Sequence, residues 1–296
     1  MSEFANDFLH RFELERAGVR GVFVRLSDSW NQVRERADYP SVLADLLGRT
    51  LAASALFTGN IKFDGALSIQ IKNAGPVGLL FAECGSDGRL RGLARWTGDI
   101  ADEAALLGAT PAPLLAITID NRDSGQRYQG LVPVEDAQLS TLFERYFERS
   151  EQLPTRVLLA CGDGRCAGLM LQRLPGSVHA DDDADAWNRV GHLLASARDT
   201  ELLALAPETL LYRLFHEESV RLHASKPLRF GCSCSRERVA GMLHSLGRAE
   251  GEAAVREDGM VEVTCEFCNT HYRFDRVDLE QVFRGAGDMA AAPIRH

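Results

Sequence analysis

A chain of 296 residues, 45% of them hydrophobic, is long enough to bury one large core and to carry a small second domain. Its 33 Lys and Arg against 42 Asp and Glu leave a net charge of -9 and a pI of about 5.4, which opposes broad attraction to nucleic acid or anionic lipid. The first ten residues carry Glu3 and Asp7 and lack the basic and apolar regions of a secretory signal, so a cytoplasmic protein is expected.

Along the chain, Val19 to Val24 reads as a strand, followed by a helix capped by Ser27 and ended by Asp38-Tyr39-Pro40. Ser41 stands as N-cap of a longer helix whose stripe of Val42, Leu43, Leu46, Leu47, Leu51 and Ala55 needs a partner surface. Leu67, Ile69 and Ile71 alternate with polar residues. Val77 to Ala82, Leu90 to Trp96, Leu115 to Ile119 and Tyr128 to Val134 follow between turns, as in a mostly antiparallel sheet. A helix over Ala137 to Arg149 places Leu139, Leu142, Phe143 and Phe147 on one face. Thr155 to Ala160 and Ala167 to Gln172 flank Gly162-Asp163-Gly164-Arg165 as a hairpin.

Beyond Pro175 the composition changes. His179 to Glu218 holds nine Asp or Glu against three Arg, with apolar residues at helical spacing. Trp187, Val190, Leu193, Leu194 and Ala197 form one stripe, and Leu210, Leu211, Leu214 and Phe215 another; helices this short need something to dock on. The acidic run at Asp181, Asp182, Asp183 and Asp185 reads as a solvent-facing helix start. No apolar run is read as reaching transmembrane length, the stretch from Leu202 to Phe215 being interrupted by Pro207, Glu208 and Arg213.

The most informative chemistry lies near the end. Cys232 and Cys234 stand as C-x-C, and Cys265 and Cys268 as C-x-x-C, the ligand number and type of a closed tetrahedral zinc site. Each motif brings two sulfurs together locally, so only one long loop must close. Ser235 can cap a helix ending at Gly247, C-x-x-C falls at the tip of a hairpin, Asn269 tolerates the left-handed backbone of such a turn, and Asp275 caps a last helix. Four thiolates fill the coordination sphere, which leaves His216, His223, His244 and His271 as structural or exposed groups. Arg236, Arg238, Arg273 and Arg276 are read as offsetting the two excess negative charges of zinc with four thiolates.

The chain thus reads as α+β. A mostly antiparallel sheet domain with packed helices spans 1–176, a helical linker 177–229, a small four-Cys zinc domain 230–285 and a disordered tail 286–296. A segment of this size draws only about 3 to 5 kcal/mol from its own core, against about 10 to 16 kcal/mol apparent for structural zinc. A C-x-x-C disulfide closes a four-residue loop and returns only about 2 kcal/mol. Oxidation of the thiolates is therefore expected to eject the metal, unfold the segment and free the adjoining linker.

Several segments, together with the cysteine spacing, resemble the heat shock protein 33 family of redox-regulated holdase chaperones. They are Val19-Arg20-Gly21, Phe63-Asp64-Gly65, Tyr128-Gln129-Gly130, the run from Ser150 to Arg156, and Cys232-Ser233-Cys234-Ser235-Arg236-Glu237-Arg238. The resemblance implies one zinc ion per chain on Cys232, Cys234, Cys265 and Cys268 in a reduced, inactive form. It further implies that disulfides Cys232 to Cys234 and Cys265 to Cys268 form on oxidation and release zinc. The product would be an ATP-independent holdase that binds unfolded client proteins and dimerises, and is not an enzyme. Cys84, Cys161 and Cys166 fall outside the motif and read as core thiols, with further oxidation as the alternative for the last two, which flank the hairpin. A zinc-module nucleic-acid-binding or regulatory protein is the competing reading; the acidic balance and the long gap between the cysteine pairs weigh against it. A zinc hydrolase would need an open metal position, which four Cys ligands deny, and no Gly-rich nucleotide loop or G-x-S-x-G elbow is read; a thiol oxidoreductase acting through C-x-x-C is the other enzyme reading, and its setting lacks the thioredoxin-like βαβ pattern.

Overall fold

The computed structural model describes residues 6–135, 138–174, 183, 185–256 and 258–284. Two units divide the chain, Met1–Gly231 and Cys232–His296. Ala137, Asp181 and Asp182, and the tail expected to be disordered over 286–296, lie outside the described residues.

The first unit begins with a strand absent from the sequence reading. β1 (Phe8–Leu14) pairs antiparallel with β2 (Val19–Leu26), and α1 (Asp28–Arg34) follows. Ser27 makes no side-chain cap for α1. The buried carboxylate of Asp7 does that work from across the hairpin, accepting the backbone N–H groups of Ser27, Asp28 at 2.9 Å and Ser29 at 2.6 Å. Asp7→Ala leaves these donors without an acceptor, and we expect a loss of about 2 kcal/mol, the upper end for a lost cap, in urea unfolding of the first unit.

α2 (Ser41–Asn60) starts one residue earlier than expected, with Pro40 in the cap position. Every residue from Thr50 to Gly59 is buried, because the helix lies between two sheets and must be apolar on all sides. By length and composition α2 could cross a bilayer, which corrects the expectation that no run does; 78% of its apolar window is buried inside the protein.

One sheet over α2 takes β3 (Gly65–Ala74), β4 (Val77–Gly85) and β5 (Arg89–Trp96). After the short α3 (Glu103–Leu107), capped by Asp102, it takes β6 (Leu114–Asn121) and β7 (Arg127–Pro133). The expected helix after β7 is α4 (Leu139–Tyr146), which widens into a π turn over Phe147–Glu151. β8 (Thr155–Gly162) and β9 (Arg165–Arg173) form the expected hairpin, with Asp163 at φ 51° and Gly164 at φ 73°, the left-handed pair that a two-residue turn requires.

Three helices follow: α5 (Ala186–Ala195), α6 (Asp199–Ala204) and α7 (Pro207–Phe215). Beyond Phe215 the chain leaves the helical pattern for a 3-10 turn (His216–Glu218) and the short strands β10 (Val220–Leu222), β11 (Lys226–Pro227) and β12 (Arg229–Phe230). β10 and β11 pair with β1, and β12 runs parallel to β5. The strand order is β10-β1-β2-β9-β8 in one sheet and β12-β5-β4-β3-β6-β7 in the other, antiparallel except at β12.

The β1-containing sheet is apolar on both faces. Leu9, Val22, Val24 and Met170 face the core around α2. Phe8, Phe12, Phe23, Leu169 and Leu171 belong to a second core, closed by Val190, Leu194, Leu202, Leu210, Leu211, Leu214 and Phe215 from α5 to α7. The two stripes foreseen on these helices thus dock on the outer face of the sheet. Phe215 stacks on Phe12 with centroids 6.4 Å apart, and Arg189 of α5 bonds the buried Glu218 at 2.7 Å and Asp183 at 2.9 Å.

The second unit holds α8 (Arg236–Leu246), α9 (Arg248–Ala253), β13 (Val261–Thr264), β14 (His271–Phe274) and α10 (Arg276–Arg284). Its buried apolar core among the described residues is Val239, Leu243, Val261, Phe274 and Leu279.

Candidate metal centre

The four cysteines singled out in the sequence come together in the second unit, all half-buried, with their sulfurs within 4.8 Å of one another. Cys232 and Cys234 lie on an extended loop that ends where the Ser235 hydroxyl accepts the Arg238 N–H and starts α8. The side chain of Arg238 bonds the Ser233 carbonyl at 2.7 Å, holding that loop against the helix it precedes. Cys265 and Cys268 sit at the tip of the β13–β14 hairpin. There Cys265 N–H bonds the Thr270 carbonyl at 2.9 Å, Asn269 N–H bonds the Cys265 carbonyl at 2.7 Å, and Asn269 takes the left-handed conformation at φ 56°.

Two sulfur pairs approach each other across the two motifs, Cys232 to Cys265 at 3.6 Å and Cys234 to Cys268 at 3.3 Å. A tetrahedral ion with sulfur at about 2.3 Å spaces its ligands about 3.8 Å apart, so a thiolate-bound ion fits among these atoms with small adjustment. The donor set is all sulfur, soft and without an open position, which suits a closed structural site better than a catalytic one. Among the described residues no histidine or carboxylate joins the cluster.

Hydrogen bonds prepare the sulfurs for negative charge. Amide groups of Cys234, of Phe267 and Cys268, and of Thr270 serve Cys232, Cys265 and Cys268 respectively. Two hydroxyls complete the shell and were not foreseen: Tyr272 donates to Cys234 at 3.1 Å, and Thr270 lies 3.2 Å from Cys268. Their only sequence signal is position, Thr270 two residues beyond Cys268 and just before the returning strand, Tyr272 four residues beyond it and on that strand. Burial pushes the thiols of Cys232, Cys234 and Cys265 up. Burial also acts upward on Cys268, but the Thr270 hydroxyl and amide outweigh it together with the neighbouring sulfurs, and its thiol falls to about 7.

Arg236, Arg238 and Arg273 are engaged within the unit itself. Arg236 donates to the Arg273 carbonyl at 2.6 Å and to Asp278 at 2.7 Å, and lies over the Phe274 ring; Arg273 pairs with Glu262. His271 bonds Thr264 and Glu262, both at 3.1 Å, and His244 is exposed. His216 and His223 belong to the first unit, where they bond the Tyr212 carbonyl and Glu13.

Comparison with known proteins places this arrangement. The family model described as Hsp33 protein matches residues 7–275. The 33 kDa chaperonin of Azotobacter vinelandii is 45% identical over 300 residues, covering 100% of both chains. The 33 kDa chaperonin of Methylobacillus flagellatus is 42% identical over 292 residues, covering 98% of this chain and 99% of the relative. The crystal structure of the 33 kDa chaperonin (heat shock protein 33 homolog) from Thermotoga maritima superposes with a TM-score of 0.82 at 21% identity, covering 96% and 99% of the two chains, a likeness of fold.

Proposed function

Since the chain belongs to the Hsp33 family, we propose that it is a redox-regulated, ATP-independent holding chaperone of the cytoplasm, switched by zinc on Cys232, Cys234, Cys265 and Cys268. The observation that carries the reading is the convergence of four half-buried sulfurs on one point. In the reduced form these four thiolates would hold one zinc ion, which would supply positive charge and tie the C-x-C loop to the hairpin tip. Glu262, Arg236 and Asp278 brace the strands and α10 around that site.

Oxidation by a hydroperoxide removes two electrons and two protons per cysteine pair; the O–O bond breaks, one oxygen leaving as water and the other as water or an alcohol. Disulfides Cys232 to Cys234 and Cys265 to Cys268 can no longer hold the ion, and the unit loses its main source of order. Pairing within each motif matters energetically. Crosswise pairing would close loops of over thirty residues, worth about 4 kcal/mol by chain entropy, and would itself hold the segment together; local pairing returns about 2 kcal/mol. The linker that adjoins the unit in sequence, proposed to span 177–229, is then released. Its departure bares the outer face of the β1-containing sheet, where Phe8, Phe12, Phe23, Leu169 and Leu171 form an apolar platform for unfolded clients. Two such bared faces offer a route to the proposed oxidised homodimer.

One titration with oxidant tests this scheme. Zinc release, loss of helical circular dichroism and suppression of client aggregation should share a midpoint, and peptide mapping should find both local disulfides. Full holding activity in zinc-loaded, fully reduced protein would refute it.

The metal should also answer to pH. Cys232, Cys234 and Cys265 are protonated thiols at neutral pH when no metal is bound, since burial raises them. They must lose protons to bind zinc, so affinity falls as pH drops, and binding releases protons. Competition with a chromophoric chelator, corrected for the chelator's own protonation, should show weaker binding at pH 6 than at pH 8, by about tenfold per pH unit for each proton displaced.

A further inference from the structure

Cys161 and Cys166 stand outside the tail cluster and face each other directly across the β8–β9 hairpin. Antiparallel partners have Cα atoms about 4.5 or 5.5 Å apart, and both values fall within the span of about 4.4 to 6.8 Å that a disulfide bridges. Directly opposed residues share a face of the sheet, here the inner one against α2. The close approach of α2 there depends on Gly48, because a Cβ at that position would overlap both sulfurs, the Cys161 Sγ at 2.6 Å. The two thiols are thus held side by side over one backbone position.

Their exposure differs. Cys166 is fully buried, whereas Cys161 is half-buried and lines a cleft of about 480 Å³ between α1, the start of α2 and the hairpin tip, together with Trp30, Arg34, Tyr39 and Asp45. We propose that Cys161 and Cys166 form a second, metal-free redox couple, in which Cys161 meets a small hydroperoxide in the cleft and Cys166 resolves it to a disulfide. Burial pushes the Cys166 thiol well up, which fits the protonated partner in this pair.

The Cys161 thiolate attacks one peroxide oxygen; the S–O bond forms, the O–O bond breaks, and the other oxygen leaves as water or alcohol. Cys161 is then a sulfenic acid. The Cys166 sulfur attacks it, the S–S bond forms, the S–O bond breaks, and the hydroxyl departs as water with the Cys166 proton. Two thiols and one hydroperoxide yield one disulfide, and the backbone pairing already in place need not move. The product staples the strands that carry Ala160, Ala167 and Leu169 of the outer face, independently of the metal.

The test uses the full-length, reduced, zinc-loaded protein treated with hydrogen peroxide, quenched with N-ethylmaleimide and digested with trypsin. Cleavage after Arg156, Arg165 and Arg173 separates the two cysteines, so their peptides remain together only through a disulfide. We expect parallel loss of alkylation at both positions, recovery of the joined peptides, and their separation by dithiothreitol, while the buried Cys84 stays fully alkylated after denaturation. In C166S the sulfenic acid has no resolving partner, and dimedone should label Cys161 far more than in the unaltered protein. Absence of the joined peptides at a peroxide dose that oxidises all four tail cysteines would overturn the proposal, whatever the fate of the variant.

Discussion

Stripping the metal from the reduced protein with a strong chelator should abolish amide exchange protection from Cys232 to Phe283 while the strands around α2 keep theirs. The second unit buries five apolar side chains among its described residues, and its elements are short: eleven residues in α8 and four in each strand. Helices of that length are marginal alone, and a two-stranded hairpin is likewise marginal in water. Zinc binding, worth about 10 kcal/mol or more, exceeds what such a core supplies. Cys265→Ser should mimic the chelator, since it removes one ligand and two backbone-supported hydrogen bonds to that sulfur. The comparison that matters is between segments of one molecule. If the tail remained protected without metal, zinc could not be its organising element, and the switch would have to lie elsewhere.

Phe215→Ala should turn the reduced, zinc-loaded protein into a partial holdase. Phe215 is 1% exposed, stacks on Phe12, and ends the helix whose Leu210, Leu211 and Leu214 close the second core. Truncating a buried Phe costs about 3 to 5 kcal/mol, and the loss falls on the docking of α7. The rest of the cover has modest reserves. α6 spans six residues, and the pair that anchors α5 to the 3-10 turn joins the buried Glu218 to an Arg189 side chain 36% exposed, so solvent weakens it. Binding of an apolar fluorescent dye and suppression of client aggregation should both rise without oxidant, with the zinc content unchanged. A variant that loses stability yet binds neither dye nor client would argue that the outer face of this sheet is not the holding surface.

Much of this was legible in the sequence because the signals are local. Gly162-Asp163-Gly164-Arg165 names its own turn, Asn269 marks a left-handed knuckle, and Ser235 caps the helix it precedes. The cysteine spacing foretold the cluster because each motif delivers two sulfurs by itself. What escaped was set by distance or by double burial. Asp7 caps a helix twenty residues away through a hairpin that local rules do not reveal. β1 has adjacent Phe8 and Leu9 facing two different cores, which breaks the alternation expected of a half-buried strand. α2 looks membrane-like because two sheets surround it. β10, β11 and β12 are two or three residues long and owe their form to the edges they join. Tyr272 enters the sulfur shell only because the returning strand brings its hydroxyl back over Cys234.

The short strands after Phe215 give the cover a second role. β10 and β11 lie along the outer rim of β1, so the stretch that hides the Phe12 face also occupies the amide and carbonyl valences of that rim. Lifting the whole stretch would uncover greasy side chains and an unpaired backbone ladder in one event. A ladder of main-chain groups recognises any extended polypeptide regardless of its side chains, which is the kind of indiscriminate grip that a guardian of many different damaged proteins needs.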